Sequence, residues 1–224
     1  WSSDVCSSDL MPSERFSIVV SAPSGAGKTT IIKRLVALDE RFEFSVSTTT
    51  RPPRRSEESA RSYYFIGIEE FHEMVRRGEF IEWAEVHQNY YGTTKKEVDR
   101  IKSTGKIPIF DVDVQGARQL KGRIDDAVFI FIAPPSVDSL RERLVKRDTE
   151  STEQIELRLN NAIKELQDYV LYDYVIINDS VESSVENMRN IVGAETCRMH
   201  RVKSRLLRPG GTDSDNSAEQ ADRL

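Results

Sequence analysis

Residues 17–30 are Ser17-Ile18-Val19-Val20-Ser21-Ala22-Pro23-Ser24-Gly25-Ala26-Gly27-Lys28-Thr29-Thr30. Their first residues are apolar and β-branched, and turn formers bound them, which predicts a short buried strand. The glycine-rich segment that follows predicts a loop, and the spacing of apolar residues from Thr29 to Leu38 predicts a helix. We therefore expect the order strand, loop, helix at the start of the fold.

This order suits a loop that binds phosphate. Glycines let successive backbone N–H groups turn inward, and the following helix directs its positive end to the same point. The pattern is similar to G-x-x-x-x-G-K-[ST], in which the lysine reaches the β- and γ-phosphates and the hydroxyl ligates Mg²⁺. Ala22 stands where the pattern has its first glycine, and alanine is compatible with the loop if its φ is negative. The predicted ATP-binding residues of the loop are Ala22, Pro23, Ser24, Gly25, Ala26, Gly27, Lys28, Thr29 and Thr30.

Composition limits the partners that the chain can take. In 224 residues, 32 basic and 37 acidic side chains give a net charge of −5. This balance argues against a general surface for nucleic acid, so we expect any affinity for phosphate to be local. The longest apolar runs are far shorter than the roughly 20 residues of a membrane span. We predict neither a nucleic-acid partner nor a membrane partner.

Cysteine usage and the two ends of the chain carry further expectations. Cys6 and Cys197 are the two cysteines of the sequence, which is no disulfide framework and favours the reducing cytoplasm. Residues 1–10 precede Met11 and contain Ser-Ser-Asp twice, so we interpret them as a non-native extension. Residues 209–224 lose the apolar periodicity, and we expect a disordered tail there.

The segment 47–95 interrupts the alternation of strands and helices. Strands are predicted at 44–47, 63–66 and 80–86, a short helix from Ile68 to Arg77, and a turn at 89–93. Arginines 51, 54, 55 and 61 cluster in this segment, and guanidinium groups are suited to forked binding of phosphate, although an exposed charged loop is the simpler reading. We interpret 47–95 as an inserted substrate-binding lobe within a core formed by 11–46 and 96–208.

A second candidate site follows a helix predicted from Lys95 to Thr104. The strand predicted at 107–113 ends in Asp111 and Asp113, and a carboxylate beside the phosphate loop is what Mg²⁺ requires. Asp111 is therefore a candidate metal partner. Asp113 projects from the same side if the extended geometry continues, and an ordinary helix N-cap is an equally open reading of it.

The remaining predicted elements alternate again between strand and helix. Strands are expected at 127–133 and 174–177, and helices at 137–147, 153–166 and 181–207. The polar segment between the helices at 137–147 and 153–166 predicts a hinge, so we expect a small lid at about 143–158. The three histidines do not have the spacing of metal ligands. We expect an α/β fold with a core like that of P-loop NTPases, with a mostly parallel sheet flanked by helices, the inserted lobe and the lid.

Five motifs in a fixed order resemble those of guanylate kinases of the bacterial type, over about residues 14–205. They are Ser21-Ala22-Pro23-Ser24-Gly25-Ala26-Gly27-Lys28, Val46-Ser47 with Thr49-Thr50-Arg51-Pro52-Pro53-Arg54, Phe80-Ile81-Glu82-Trp83-Ala84, Asn89-Tyr90-Tyr91-Gly92-Thr93 and Asp111-Val112-Asp113-Val114-Gln115-Gly116. The resemblance implies Mg²⁺-dependent transfer of the γ-phosphoryl group of ATP to GMP, giving ADP and GDP. Tolerance of dGMP and assembly into a homo-oligomer stay open.

The resemblance also implies roles for individual residues. Those implied to hold the phosphate of GMP are Arg51, Arg54, Tyr63 and Tyr91. Those implied to read its base are Ser47, Glu82, Thr93 and Asp113. The arginines implied to close on the transferred phosphoryl group are Arg143, Arg147 and Arg158, together with Lys28 and Arg51 as catalytic groups. Asn178 is implied to lie near the adenine of ATP, and Thr29 and Asp111 to organise the metal.

Two other functions are weighed. Some scaffold proteins contain guanylate-kinase-like domains that bind partners without catalysis, but these lack the intact phosphate loop that Gly27-Lys28-Thr29 indicates here. A kinase of the same fold could instead phosphorylate a sugar phosphate. Carboxylates at Glu82 and Asp113 argue against it, because they have no evident role toward such an acceptor.

Overall fold

The computed structural model describes residues 16–23, 25–53, 63–86, 88–124, 126–145, 152–166 and 170–206. The expectations for residues 1–10 and 209–224 lie outside these ranges. Backbone contacts divide the chain into two compact units, with the division between Arg189 and Asn190.

Nine strands and eight helices lie in the described residues. The strands are β1 (Ser17–Ser21), β2 (Phe42–Phe44), β3 (Thr48–Thr49), β4 (Tyr64–Phe65), β5 (Phe80–Val86), β6 (Asn89–Thr94), β7 (Ile107–Asp111), β8 (Ala127–Ala133) and β9 (Tyr174–Ile177). The helices are α1 (Lys28–Leu38), α2 (Ile68–Arg76), α3 (Lys95–Thr104), α4 (Val114–Leu120), α5 (Val137–Val145), α6 (Thr152–Leu166), α7 (Val181–Thr196) and α8 (Met199–Leu206).

The first unit contains a five-stranded sheet in the order β2-β7-β1-β8-β9. All of its neighbouring strands run parallel, which confirms the predicted α/β core. The strand β1 lies at its centre and is buried along its whole length. Aromatic and aliphatic side chains from β1, β7, β8, α3 and α4 form a core cluster, and its buried members are Val19, Val98, Phe110, Val112, Ala117, Leu120 and Phe129.

The order of the strands places the two predicted chemical segments side by side. β1 and β7 are neighbours, with Val20 opposite Asp111. The loop that follows β1 and the carboxylate that ends β7 therefore emerge together at the carboxyl edge of the sheet, where α/β folds bind their ligands.

A second sheet of four strands, in the order β4-β3-β6-β5, is built from the chain between β2 and α3. β5 and β6 form its antiparallel hairpin, with Glu82 opposite Thr93. β3 pairs with β6 in antiparallel and with β4 in parallel orientation. Phe71 of α2 packs on this hairpin, with its ring stacked 4.5 Å from that of Phe80.

Several predicted boundaries are wrong. The segment predicted as a turn at 89–93 is the strand β6, and the reversal of the chain comes before it, where Gln88 has a φ of 63°. Of the strand predicted at 44–47, only Phe44 lies in a strand, at the end of β2, and residues 45–47 connect β2 to β3. β7 ends at Asp111 instead of Asp113, because Asp113 already caps the next helix.

The helix predicted at 181–207 consists of α7 and α8. In the second unit, the buried carboxylate of Glu195 accepts a hydrogen bond from the guanidinium of Arg201. The same guanidinium also donates to the Glu195 carbonyl at 3.0 Å, so the pair stabilises the bend after Thr196.

None of the helices in the described part of the chain is long and apolar enough to cross a membrane.

Candidate active site

The phosphate loop has the backbone that its glycines predict. Gly25 and Gly27 have φ values of 91° and 93°, a region that other L-residues adopt at a cost. Among the described residues other than glycine, positive φ occurs at Gln88 and Asp126, so Ala22 meets the condition stated for it. Helix α1 begins directly after Gly27 and directs its positive end at the loop.

Side chains from two other elements hold the back of this loop. The Ala26 carbonyl accepts a hydrogen bond from the Asn178 amide at 2.6 Å and one from the Arg143 guanidinium at 3.4 Å. In a trans peptide the next N–H points the opposite way. The Gly27 N–H is therefore directed away from Asn178 and Arg143, as binding of an anion inside the loop requires.

Both the nitrogen and the oxygen of the Asn178 side-chain amide are hydrogen-bonded. It is buried, and its carbonyl oxygen accepts from the Ser184 hydroxyl at 3.1 Å. A Cβ at Gly27 would lie 2.5 Å from its nitrogen. The structure thus places Asn178 against the loop, and its suggested proximity to adenine stays a prediction.

Lys28 and Thr29 meet the carboxylate of Asp111. The Lys28 ammonium lies 2.6 Å from one Asp111 oxygen and donates to the Val112 carbonyl at 2.6 Å. The Thr29 hydroxyl donates to the other oxygen at 3.3 Å. The structure thus brings these three side chains together, and their roles at phosphate and metal stay predictions.

The donor set of Thr29 and Asp111 fits Mg²⁺ held with a nucleotide. Mg²⁺ keeps several waters and is usually bound by one or two protein oxygens plus substrate phosphates. Among the described residues, no group of three or more His, Cys, Asp or Glu side chains could hold a metal. A metal bound together with ATP therefore suits these residues better than a protein-only cage.

A cleft of about 170 Å³ joins the phosphate loop to the second sheet. Its described lining residues are Lys28, Ser47, Tyr63, Glu82, Ala84, Val86, Tyr91, Asp111, Val112 and Asp113. Seven of the residues predicted to bind nucleotide or metal thus line one cavity. Ala84, Val86 and Val112 were not predicted, because apolar residues carry no signal of ligand contact in the sequence.

Glu82 is the most unusual ionisable group of the cleft. Its side chain is 4% exposed, and burial raises the pKa of its carboxyl to about 7. Hydrogen bonds from the hydroxyl and the backbone N–H of Thr93 lower that pKa, and the nearby charge of Asp113 raises it. Thr93 thus supports Glu82 and is absent from the described cleft lining.

Asp113 is both the cap of a helix and a residue of the cleft, which are the two readings that the sequence left open. One carboxylate oxygen caps α4 by accepting the Gly116 N–H at 2.8 Å, and the residue also lines the cleft. A Cβ at Gly116 would lie 3.0 Å from a Glu82 oxygen and 3.4 Å from an Asp113 oxygen. Gly116 therefore gives the two carboxylates room to stand together, a role that the sequence did not reveal.

Helix α4 also fixes the backbone around Glu82. The Gln119 side chain donates to the Trp83 carbonyl at 2.6 Å and accepts from the Trp83 N–H at 3.2 Å. Arg123 donates to the Ile81 carbonyl at 2.9 Å. The two residues that flank Glu82 are thus held by Gln119 of α4 and by Arg123, which follows the end of that helix.

The aromatic part of the cleft lies next to Arg51. The rings of Tyr63 and Tyr91 meet edge to face at 6.0 Å. The Arg51 guanidinium lies over Tyr63 at 5.5 Å and over Phe65 at 6.0 Å, and it donates to the Pro52 carbonyl at 2.8 Å. Arg51 is therefore beside the cleft, although it is absent from the described lining.

Other predicted site residues are placed only in part. Thr30 lies exposed in the first turn of α1. Arg143 lies behind the phosphate loop, where its guanidinium also donates to the backbone carbonyl of Asn178 at 2.9 Å. Ser24, Arg54, Arg147 and the side chain of Arg158 lie outside the described residues.

Comparison with known proteins gives one consistent result. A model of the family described as guanylate kinase matches residues 14–195. A guanylate kinase of Geobacter metallireducens is 47% identical over 184 residues, covering 82% of this chain and 91% of the relative. One of Clostridium tetani is 43% identical over 190 residues, covering 85% of this chain and 91% of the relative. The crystal structure of guanylate kinase from Anaplasma phagocytophilum has a TM-score of 0.68 at 31% identity, covering 87% of this chain and 97% of that one.

Proposed function

The chain belongs to the guanylate kinase family, and from this premise we propose how its residues divide the transfer of a phosphoryl group from ATP to GMP. The enzyme is a nucleoside monophosphate kinase. The observation that supports this proposal is that the phosphate-loop lysine and three carboxylates, those of Glu82, Asp111 and Asp113, line the same cleft.

The loop holds the donor nucleotide. Backbone N–H groups of residues 25–28 and the positive end of α1 bind the phosphates, and Lys28 moves from Asp111 toward the β- and γ-oxygens. Thr29 and Asp111 would hold Mg²⁺, which would supply charge neutralisation at the phosphates when bound.

Glu82 and Asp113 select the acceptor base. The Watson–Crick edge of guanine presents N1–H and N2–H₂ donors, which an ionised carboxylate accepts, and Ser47 offers a hydroxyl for O6. Adenine would present a lone pair at N1 to a buried carboxylate. Leaving such groups unpaired can reject an analogue by roughly 10⁴-fold.

Tyr63, Tyr91 and Arg51 hold the phosphate of GMP. The two phenol groups line the cleft together with the carboxylates. The Arg51 guanidinium lies over the Tyr63 ring, and a rotation of the Arg51 side chain would bring it to an anion in the cleft. Arg54 is proposed for the same task. Arginine is suited to it because its guanidinium makes forked, charge-assisted hydrogen bonds to phosphate.

No covalent enzyme intermediate is required, because an oxygen of the GMP phosphate is already an anionic nucleophile. The residues act by alignment and by neutralising charge on the transferred group. Arg143, Arg147 and Arg158 approach it as the proposed lid at 143–158 closes on the core (11–46 and 96–208) and the GMP-binding lobe (47–95). Closure also excludes water, which would otherwise accept the phosphoryl group.

A coupled assay of ADP release tests this function. With ATP and Mg²⁺ we expect turnover with GMP, and at least about 10³-fold lower kcat/KM with AMP or ribose phosphates. Preference for a ribose phosphate would support a kinase acting on sugars. Binding of GMP without turnover of any acceptor would support a non-catalytic module.

We propose the cytoplasm as the working compartment, on the basis of the sparse cysteines in the sequence.

A further inference from the structure

Glu97 is a buried acid that the proposed reaction does not use. It lies in the first turn of α3, and its side chain is 2% exposed. A buried carboxylate is costly unless several hydrogen bonds and an opposite charge compensate it. Its partners therefore indicate why a charge is kept at this position.

Two of these partners come from the part of the chain that forms the cleft. One Glu97 oxygen accepts the Val46 N–H at 2.9 Å, and the other accepts the Tyr64 hydroxyl at 3.2 Å. Burial, followed by the charge of Glu97, raises the pKa of Tyr64, so this phenol stays a donor. Val46 directly precedes Ser47, and Tyr64 directly follows Tyr63, and both of these neighbours line the cleft.

The two held segments are also joined to each other. The Tyr64 N–H donates to the Ser47 carbonyl at 2.9 Å, and Thr48 pairs with Tyr64 in the parallel ladder of β3 and β4. This ladder is only two residue pairs long, and so short a ladder fixes its strands weakly on its own. Glu97 adds a further connection between the two segments, which comes from α3.

Arg100 balances the charge of Glu97. Its guanidinium donates to both Glu97 oxygens, at 2.8 and 2.9 Å. Its remaining nitrogen bonds Glu43 of β2. The forked pair holds the Glu97 carboxylate in one orientation, which directs its remaining acceptor sites at Val46 and Tyr64.

Capping of α3 does not explain the carboxylate. The sequence from Thr94 to Glu97 has the order of a capping box, in which the glutamate side chain would accept the backbone N–H of Thr94. Here the Thr94 hydroxyl caps the helix through the Glu97 N–H at 3.2 Å. The Glu97 side chain points to Val46 instead.

We propose that Glu97 is a positioning residue for the acceptor nucleotide, which holds Ser47 and Tyr63 at the spacing that GMP requires. The proposal rests on the proposed function of the cleft. It assigns Glu97 no contact with either substrate.

The first test is Glu97→Ala in the full chain, with KM and kcat measured separately for both nucleotides. We expect the KM for GMP to rise about tenfold, with kcat and the KM for ATP within about twofold, because an interaction that only aids acceptor binding changes KM alone. A purely structural defect would lower the active fraction, which reduces apparent kcat and leaves KM unchanged.

Two further variants make the test specific. Tyr64→Phe removes one donor to Glu97 and keeps the ring, so we expect a rise of about threefold in the KM for GMP even if Glu97→Ala does not fold. Glu43→Gln is the matched control. It removes the charge of the other partner of Arg100 and leaves Val46 and Tyr64 untouched, so we expect wild-type KM values.

Three outcomes would overturn the proposal. They are an unchanged KM for GMP in folded Tyr64→Phe and Glu97→Ala, equal rises for GMP and ATP, or the same rise in Glu43→Gln. Failure of the function itself looks different, since the wild-type chain would then release no ADP in the presence of GMP.

Discussion

Glu82 carries a proton at a pH where most glutamates are ionised. Its carboxyl has a pKa of about 7 before GMP binds, and only the ionised form accepts the two guanine donors. Below pH 7, the binding of GMP must therefore include the loss of a proton from Glu82. If Glu82 accepts the guanine donors as proposed, the affinity for GMP is linked to pH through this carboxyl.

We expect the KM for GMP to be about tenfold higher at pH 6 than at pH 8, since a group with a pKa near 7 is about one-tenth ionised at the lower value. Glu82→Gln is the control. It should weaken GMP far more than ATP at pH 8 and show only the dependence that comes from the phosphate of GMP itself. Equal pH profiles for the two proteins would contradict the assignment of Glu82.

The same residue should make the empty enzyme less stable in alkaline solution. The pKa of Glu82 is raised from 4.5 to about 7 in the folded chain. Its favourable contribution is complete below pH 4.5 and is lost as the pH rises through 7, which amounts to about 3 kcal/mol of unfolding free energy.

We therefore expect Glu82→Gln to raise the unfolding free energy relative to wild type at pH 8, and not at pH 4.5, in urea titrations without nucleotide. A gain of the same size at both values would show that the effect comes from packing instead of charge. Addition of GMP should reduce the difference at pH 8, because the wild-type protein alone recovers its base contacts.

Lys28 should act on turnover and not on acceptor binding. Lys28→Ala removes the positive charge 2.6 Å from Asp111, and we expect kcat to fall by at least about 10²-fold, as when a transition-state donor is removed. The Kd for GMP, measured by calorimetry, should stay within about threefold. Normal turnover of this variant would remove the phosphate-loop assignment.

Helix α4 links the residues that choose the base. Asp113 caps its first turn, Gly116 provides space for the Glu82 carboxylate, and Gln119 holds the Trp83 backbone. A helix with three such contacts fixes the carboxylates more firmly than the loop that precedes it could do alone.

Gly116→Ala tests this role of the helix. The new Cβ would lie 3.0 Å from both the Glu82 carboxylate and the Val112 Cβ, so the carboxylate must shift. We expect the KM for GMP to rise about tenfold, with that for ATP unchanged, since small misplacements in a fitted site are costly. Gly193→Ala is the matched control, because a Cβ there has no atom within 4 Å. Wild-type GMP kinetics in Gly116→Ala would show that Glu82 tolerates the shift.

Local patterns predicted the central elements well. The run before the phosphate loop is β1, and the periodicity after it is α1, because glycine, lysine and threonine at that spacing specify their own geometry. β6 was missed because Asn89 and Gly92 are typical of turns. Pairing with β5, which no local pattern contains, determines its conformation.

The residues of the cleft were predictable where they belong to a motif that is assigned to a ligand, and not where they act through another residue. Glu82, Asp111 and Asp113 belong to motifs with a known spacing. Glu97 resembles an ordinary capping glutamate, and Gly116 an ordinary small helix residue. Their partners at Val46 and Glu82 are distant in the sequence, so only the fold brings these contacts together.

The two nucleotides should protect different regions of the first unit from local opening. The phosphate loop follows the five-stranded sheet, whereas Ser47, Tyr63, Glu82 and Tyr91 lie on or beside the four-stranded sheet. Ligand binding suppresses local opening of the segments that it contacts.

We expect GMP alone to slow amide hydrogen exchange in β3, β5 and β6, and an ATP analogue alone to slow it in residues 25–28 and the first turn of α1. Mass spectrometry of peptides from the full chain measures both. Protection by GMP confined to the phosphate loop would place the acceptor elsewhere.

Asp111 and Asp113 are separated by a single residue, Val112, and yet the proposed function assigns them to different nucleotides. Two residues of chain span at most about 7 Å, so the covalent backbone itself limits how far the metal-bound phosphates can stand from the guanine pocket. An extra residue inserted beside Val112 would lengthen this connection. Such an enzyme should still retain each nucleotide separately but fail to bring donor and acceptor into line.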